Sequence, residues 1–164
     1  MTVDIEVRKA RLGDAERIAE FVNSARTERH VSQMDVAERF SQVGFLLAEQ
    51  QGKIVGLAGW RVENLVICLT DFLIAPGVDR VTAGRVLVTA MEREGEYLQA
   101  EASLLFLPAN PSQELVAYWQ QLAYTRKAMT ELPKAWREAA KEWNPKAGEA
   151  MIKQIREDMI RKPM

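Results

Sequence analysis

A chain of 164 residues, 48% apolar and 27% charged, is long enough to build a core and short enough to be one domain. Its formal net charge of −1, with no dense Lys/Arg block before the end of the chain, argues against a nucleic-acid binder. No apolar run approaches the roughly 20 residues of a membrane span. Met1–Glu6 has neither a basic nor an apolar leader pattern, so a cytosolic location is expected. One cysteine and one histidine, Cys68 and His30, allow neither an internal disulfide nor a zinc site of the usual ligands.

Ile5 to Arg11 reads as a short strand, broken by Leu12-Gly13-Asp14, with Asp14 offered as the N-cap of a helix. Ala15, Ile18, Ala19 and Val22 form its apolar stripe, and Glu16, Arg17 and Glu20 its wet side. A second helix is expected from Ser32, where Ser32 and Asp35 match a capping box and Val36, Ala37 and Phe40 supply apolar contacts. "VGFLLAEQ" and "KIVGLAGW" flank Gln51-Gly52 as a hairpin, and "LVICLTDFLI" follows a tight turn at Glu63-Asn64. Cys68, inside that apolar run, reads as a buried thiol, and a Cys68–His30 nucleophile pair has no third orienting residue.

Gly84 to Arg93 predicts a helix with Val86, Leu87, Ala90 and Met91 on one face, and "ASLLFLPA" a buried strand. Ser112 to about Leu122 predicts a helix with Leu115, Trp119 and Leu122 in register, followed by "YTRKAMTEL" as a strand. Glu63 and Glu101 read as turn residues. Pro133 to Trp143 is helical in pattern and ends at Asn144-Pro145. "EAMIKQIRED" fits either a last strand or a helix, and "REDMIRKPM" is expected to pack on the surface or on a partner subunit. With no repeat, low-complexity tract or linker, residues 1–164 are expected to form a single domain, with the insert and tail at about 133–164.

"VRKARLGDAERIAEFV", "LIAPGVDRVTAGRVLV" and "NPSQELVAYWQQLAY", in this order of elements, resemble the GCN5-related N-acetyltransferase (GNAT) family over nearly the whole chain, from Ile5 to about Ile155. The resemblance implies an α/β fold with a mixed, mainly antiparallel, splayed sheet flanked by helices, to which the stretch around Pro133–Trp143 adds a C-terminal helical insert. It also implies transfer of an acetyl or other acyl group from acyl-coenzyme A to an amine, on a small molecule or a protein, by direct attack in a ternary complex. The alternative it leaves is a noncatalytic relative that keeps the fold as a binding or interaction module.

Laid on the family's cofactor turn, Pro76 matches the turn proline, Gly84 the final small residue, and Arg85 and Leu87 the start of the helix. The resemblance makes Asp79, Arg80, Val81, Thr82, Ala83, Gly84 and Arg85 the pyrophosphate segment, with backbone N–H groups as the main ligands. Leu73 and Ile74, at the end of the preceding strand, take the pantetheine arm, and the N–H near Ile74 polarises the thioester carbonyl. Asn110 faces the same arm. Two positions depart from the family: Asp79 stands where it prefers Arg or Gln, and Thr82 where it prefers Gly. A Thr hydroxyl can donate to a phosphate or cap the helix. A carboxylate about 4 Å from a phosphate costs about 1 kcal/mol per charge pair in water and about 4 at intermediate dielectric, so Asp79 is expected to point away or to be offset by Arg80 and Arg85.

The family's frequent general acid is a Tyr at the place held here by Trp119, whose indole has no proton to give near neutral pH. Trp119 is therefore read as core, and Tyr118 is the candidate acid if the helix register shifts by one. Asp71, the only acidic residue inside its strand, is the candidate base, against the alternatives of pointing to solvent or capping a bulge. Trp136 and Trp143 have three readings: covering the core edge, which is the default, lining an acceptor pocket, or forming a homodimer contact.

Overall fold

The computed structural model describes residues 4–26 and 28–156, so most of the "REDMIRKPM" tail lies outside the described residues. In chain order come β1 (Glu6–Lys9), α1 (Ala15–Ala25), α2 (Gln33–Arg39), β2 (Gly44–Gln50), β3 (Lys53–Glu63), β4 (Val66–Ile74) and α3 (Arg80–Tyr97). They are followed by β5 (Ala102–Leu105), α4 (Gln113–Gln121), β6 (Thr125–Ala128), α5 (Lys134–Trp143) and β7 (Glu149–Gln154). The seven strands take the order β1-β2-β3-β4-β5-β7-β6. β1/β2, β2/β3, β5/β7 and β6/β7 are antiparallel, and β4/β5 is parallel. Glu149–Gln154, which fitted either strand or helix, is a strand because its alternation buries Ala150 and Ile152 against a core that α5 covers. Among the described residues no helix is long and apolar enough to cross a membrane.

The chain divides into two compact units, the first comprising residues up to Arg61 with Thr70–Met91, the second Val62–Leu69 with residues from Glu92 onward. In the first unit, Ile18, Val22 and Val36 of α1 and α2 pack on Phe45, Leu47 and Leu57 of β2 and β3. Burying each such side chain fully stabilises by about 1.5 to 3 kcal/mol. α2 starts on the expected capping box, with Asp35 N–H donating to Ser32 Oγ at 3.0 Å and Ser32 N–H to the Asp35 carboxylate at 2.9 Å. The β2–β3 hairpin turns on Gln51 and Gly52, both at positive φ (53° and 76°), as a two-residue turn that matches strand twist requires.

In the second unit, β4 and β5 pair only over Val66–Cys68 with Ala102–Leu104, while β4 runs on to Ile74. α5 lays Ala139 and Ala140, flanked by Trp136 and Trp143, on Cys68, Leu104 and Ile152. Both tryptophans pack at the edge of this core, Trp136 also bordering a cavity of about 380 Å³, and Cys68 is a buried thiol. Glu101 is a correction. It is 9% exposed and accepts the indole N–H of Trp136 at 3.0 Å, so it ties α5 to the start of β5.

Asp14 is the N-cap residue of α1, as expected. Its side chain makes no capping hydrogen bond to that helix, because its carboxylate is taken by the Arg8 guanidinium at 3.0 and 2.9 Å and by the Arg11 N–H at 2.8 Å. Arg8 also reaches Glu49 at 2.8 Å, which joins β1, α1 and β2 through charge. The Arg8 hydrogen bonds, then the Arg11 N–H and the Arg17 charge, hold the Asp14 carboxyl down to about 2 against the opposing effect of burial. A folded-state value below the unfolded one of about 3.9 gives stability that is present above that value and lost as pH falls through it towards 2. Asp14→Asn should therefore lower stability in urea by about 1 to 2 kcal/mol at pH 7, after allowance for solvent screening, with the gap closing between pH 4 and pH 2. An equal gap at pH 7 and pH 2 would refute this account.

Candidate functional site

β4 leads into α3 through Ala75-Pro76-Gly77-Val78. Pro76 supplies the fixed φ, Gly77 the positive φ of 82°, and Val78 N–H reaches Ala75 O at 3.4 Å, the pattern of a type II turn. Ala75 N–H donates to Val55 O of β3 at 2.8 Å. Successive residues of an antiparallel strand turn their N–H groups to opposite edges, so the N–H of buried Ile74 points away from β3. Leu73 is half-buried and packs with the α1/α2 core.

α3 starts at Arg80, four residues before the expected Gly84, because Asp79 is its N-cap. One Asp79 carboxylate oxygen accepts from Val81 N–H at 3.0 Å and Thr82 N–H at 3.1 Å, and Ala83 N–H bonds the Asp79 carbonyl at 3.0 Å. Asp79 thus neither points away nor leaves the cap to Thr82; a carboxylate at the positive end of a helix is favourable, and it takes that place. The inward face of α3 is Ala83, Gly84, Leu87, Val88 and Met91, with Val86 and Ala90 only half-buried, a face rotated from the expected one. Arg80, Thr82 and Arg85 are exposed and Val81 is half-buried.

Asp71 neither points to solvent nor caps a bulge. Arg39 Nη2 binds its Oδ1 at 2.8 Å and Arg39 Nε its Oδ2 at 3.4 Å, while Arg39 Nη1 also holds Gln42 at 2.9 Å. This ion pair lies in the wall of a cavity of about 540 Å³ bounded by α1, α2 and Thr70–Leu73 of β4, with Ile18, Val22, Phe45 and Leu57 as apolar lining. The Thr70 hydroxyl, also in the wall, is buried without a protein partner.

In the second unit, Asn110 is exposed, at φ 53°, in the loop before α4, where it borders a cavity of about 360 Å³. Tyr118 is half-buried, its ring 5.4 Å edge-on from Trp119. Trp119 is 4% exposed and stacks edge-on against Tyr124 at 5.6 Å, the core role expected of it. Sequence reasoning missed a polar cluster inside this unit. The Tyr124 and Ser103 hydroxyls share a hydrogen bond of 2.6 Å, Tyr124 reaches Glu92 at 3.3 Å, and Lys153 grips both Glu92 oxygens at 2.9 and 3.0 Å. Burial, then the Glu92 charge, pushes the Tyr124 phenol far up and keeps it protonated. Ser103, the one polar residue in the otherwise apolar "ASLL", was the available signal.

No protein-family model and no curated protein matches the sequence. Solved structures do. An acetyltransferase of the GNAT family from Staphylococcus aureus Mu50 superposes with a TM-score of 0.70 at 14% identity, over 93% of this chain and 100% of that one. The ribosomal-protein-S18-alanine N-acetyltransferase of Escherichia coli gives 0.68 at 16%, over 98% and 100%. The PaiA N-acetyltransferase of Thermoplasma acidophilum, in complex with coenzyme A, gives 0.65 at 14%, over 92% and 99%. The chain has the GNAT fold.

In this GNAT fold the start of α3 fits a phosphate under one condition. Asp79 is exposed, so a side-chain rotation frees the Val81 and Thr82 donors, at the cost of one helix cap, about 1 kcal/mol. The inward-facing Ala83 and Gly84 can offer only backbone, whereas the exposed Arg80 and Arg85 can offer charge.

Gly59 of β3 is what admits Asp71, since a Cβ at that position would lie 2.9 Å from Asp71 Oδ1 and 3.0 Å from its Cβ. Gly59→Ala should displace Asp71 from Arg39 and destabilise the protein by about 1 to 3 kcal/mol, read as a lower urea midpoint at unchanged slope. An unchanged midpoint would mean that the strand accommodates the methyl group without moving the ion pair.

Proposed function

We propose that the chain is an acyl-coenzyme A dependent N-acyltransferase working as one domain. The observation that carries this reading is the continuity of β4: Thr70–Leu73 border a cavity of small-molecule size, and the next residue, Ile74, turns its N–H away from β3. An amine in that cavity would attack the acyl carbonyl; the C–N bond forms, the C–S bond breaks, and the sulfur leaves with the electron pair and gains a proton as the nitrogen loses one. The Ile74 N–H would stabilise the developing oxyanion, and the backbone of Leu73 and Ile74 would hold the pantetheine arm. The segment Arg80–Arg85 would hold the pyrophosphate, with Asp79 rotated outward. Asp71, whose Oδ2 is held by Arg39 only at 3.4 Å, is the proposed base through a water, and Tyr118 the proposed acid. What acyl-coenzyme A supplies is an activated thioester. Positioning it against a neutral amine can contribute on the order of 7 to 11 kcal/mol in the best model cases, so neither side chain has to carry the whole rate.

A second reading, a noncatalytic binding or interaction module, is favoured by one observation: the donors of Val81 and Thr82 are already bonded to Asp79. Calorimetric titration of acetyl-coenzyme A into wild type, Arg80→Glu and Asp79→Asn separates the two readings. The acyltransferase reading expects micromolar binding, lost in Arg80→Glu and tightened about fivefold in Asp79→Asn, since removing one like charge is worth about 1 kcal/mol in water. Ligand at 100 times its dissociation constant should also add about 2.7 kcal/mol of stability. No heat and no thermal shift at millimolar ligand in any of the three proteins would leave the binding module as the account.

A further inference from the structure

The walls of the 540 Å³ cavity carry six charged side chains, Arg26, Arg29, Arg39, Asp35, Glu38 and Asp71. Their formal sum is zero, but their engagement differs. Arg39 and Asp71 neutralise each other. Asp35 is spent on the Ser32 cap, with the Arg29 charge acting on it from a distance. Among the described residues, no hydrogen bond or ion pair engages the side chains of Arg26, Arg29 or Glu38. Arg26, in the residue after α1, and Arg29, in the link to α2, are both exposed. The mouth therefore offers two guanidinium forks and one carboxylate, while the interior ends at an ion pair on β4. A guanidinium fork matches a carboxylate with two parallel hydrogen bonds. The volume lies within the roughly 300 to 1,000 Å³ typical of small-ligand sites.

We propose that the acceptor of this cavity is a small primary amine carrying a carboxylate, held by Arg26 and Arg29 at the mouth with its amino group directed inward to Asp71. This rests on the acyltransferase reading for the word acceptor, although the recognition itself does not need the cofactor. Glu38 fits the same dipolar ligand, since it repels a second carboxylate and favours the ammonium form on entry. A plain diamine would leave both arginines unmatched, and a neutral amine would gain nothing from them.

The test is binding of the twenty standard L-amino acids, each beside the amine formed by removing its α-carboxylate where such an amine exists. Wild type is compared with an Arg26→Gln/Arg29→Gln double variant, and acetyl-coenzyme A is titrated in parallel. At least one amino acid should bind wild type about tenfold or more tighter than its decarboxylated partner, and the double variant should lose that preference while keeping its melting temperature and its coenzyme A affinity. Absence of amino-acid binding, a preference retained by the double variant, or equal binding of the decarboxylated amines would each overturn the proposal. Coenzyme A binding together with acylation of decarboxylated amines would sink this inference and keep the acyltransferase reading. Amino-acid binding that depends on the two arginines, with no coenzyme A binding, would do the reverse.

Discussion

The two-residue alternation of β4 is the constraint on which the site depends. Asp71 lies over Gly59, and Leu73 and Ala75 pack with the α1/α2 core, whereas Ile74 lies on the other face beside Gly56 and Leu87 of α3. One strand therefore delivers a charged side chain to the cavity and, three residues later, a backbone N–H directed off the ladder. A slip of one residue would exchange the two faces and send Asp71 into the apolar packing of α3. The glycines of β3 hold the register: Gly56 leaves room for Leu87, whose Cδ1 lies 2.8 Å from where a Cβ would stand, and Gly59 leaves room for Asp71.

The second constraint is that a helix start has a small, fixed set of unpaired donors. At α3 the chain satisfies two of them with Asp79, a local solution whose components are two and three residues apart. Any anion bound there would exchange one carboxylate for another negative group, so its net gain is the difference between two favourable contacts. That difference, and not the presence of the turn, decides whether the cradle binds a ligand.

How much of this was legible follows from the range of each interaction. The Ser32–Asp35 box, the Gln51-Gly52 hairpin and the stripe of α1 are local patterns, and they appear where the residues put them. The start of α3 is not read in this way: the apolar pattern, counted from Gly84, misses the first turn, which Asp79 caps through Val81 and Thr82. The partners of the Asp14 and Glu101 carboxylates were missed for another reason. These partners, Arg8 and Trp136, are chosen by folding, and a carboxylate six or thirty-five residues from its partner has no spacing rule to reveal it. The Arg39–Asp71 pair, thirty-two residues apart, is of the same kind.

The aromatic residues of α4 and β6 narrow the chemistry further. A phenol serves as a general acid when it can release and regain its proton near the working pH. Tyr124 is removed from that role by its surroundings: its hydroxyl is shared with Ser103, faces Glu92 and is raised far above its ordinary range. Trp119 is removed by its functional group. Tyr118, half-buried and edge-on to Trp119, is the phenol left on α4. If Tyr118 does not supply the proton, a departing thiolate can take one from water at modest cost, because a thiol titrates near 8.5 and is partly ionised near neutral pH. The acid is thus the part of the mechanism most easily dispensed with. The discriminating chemistry falls instead on the amine side, where Asp71, Arg39 and the charged mouth of the cavity are all built from side chains that the first unit holds in place.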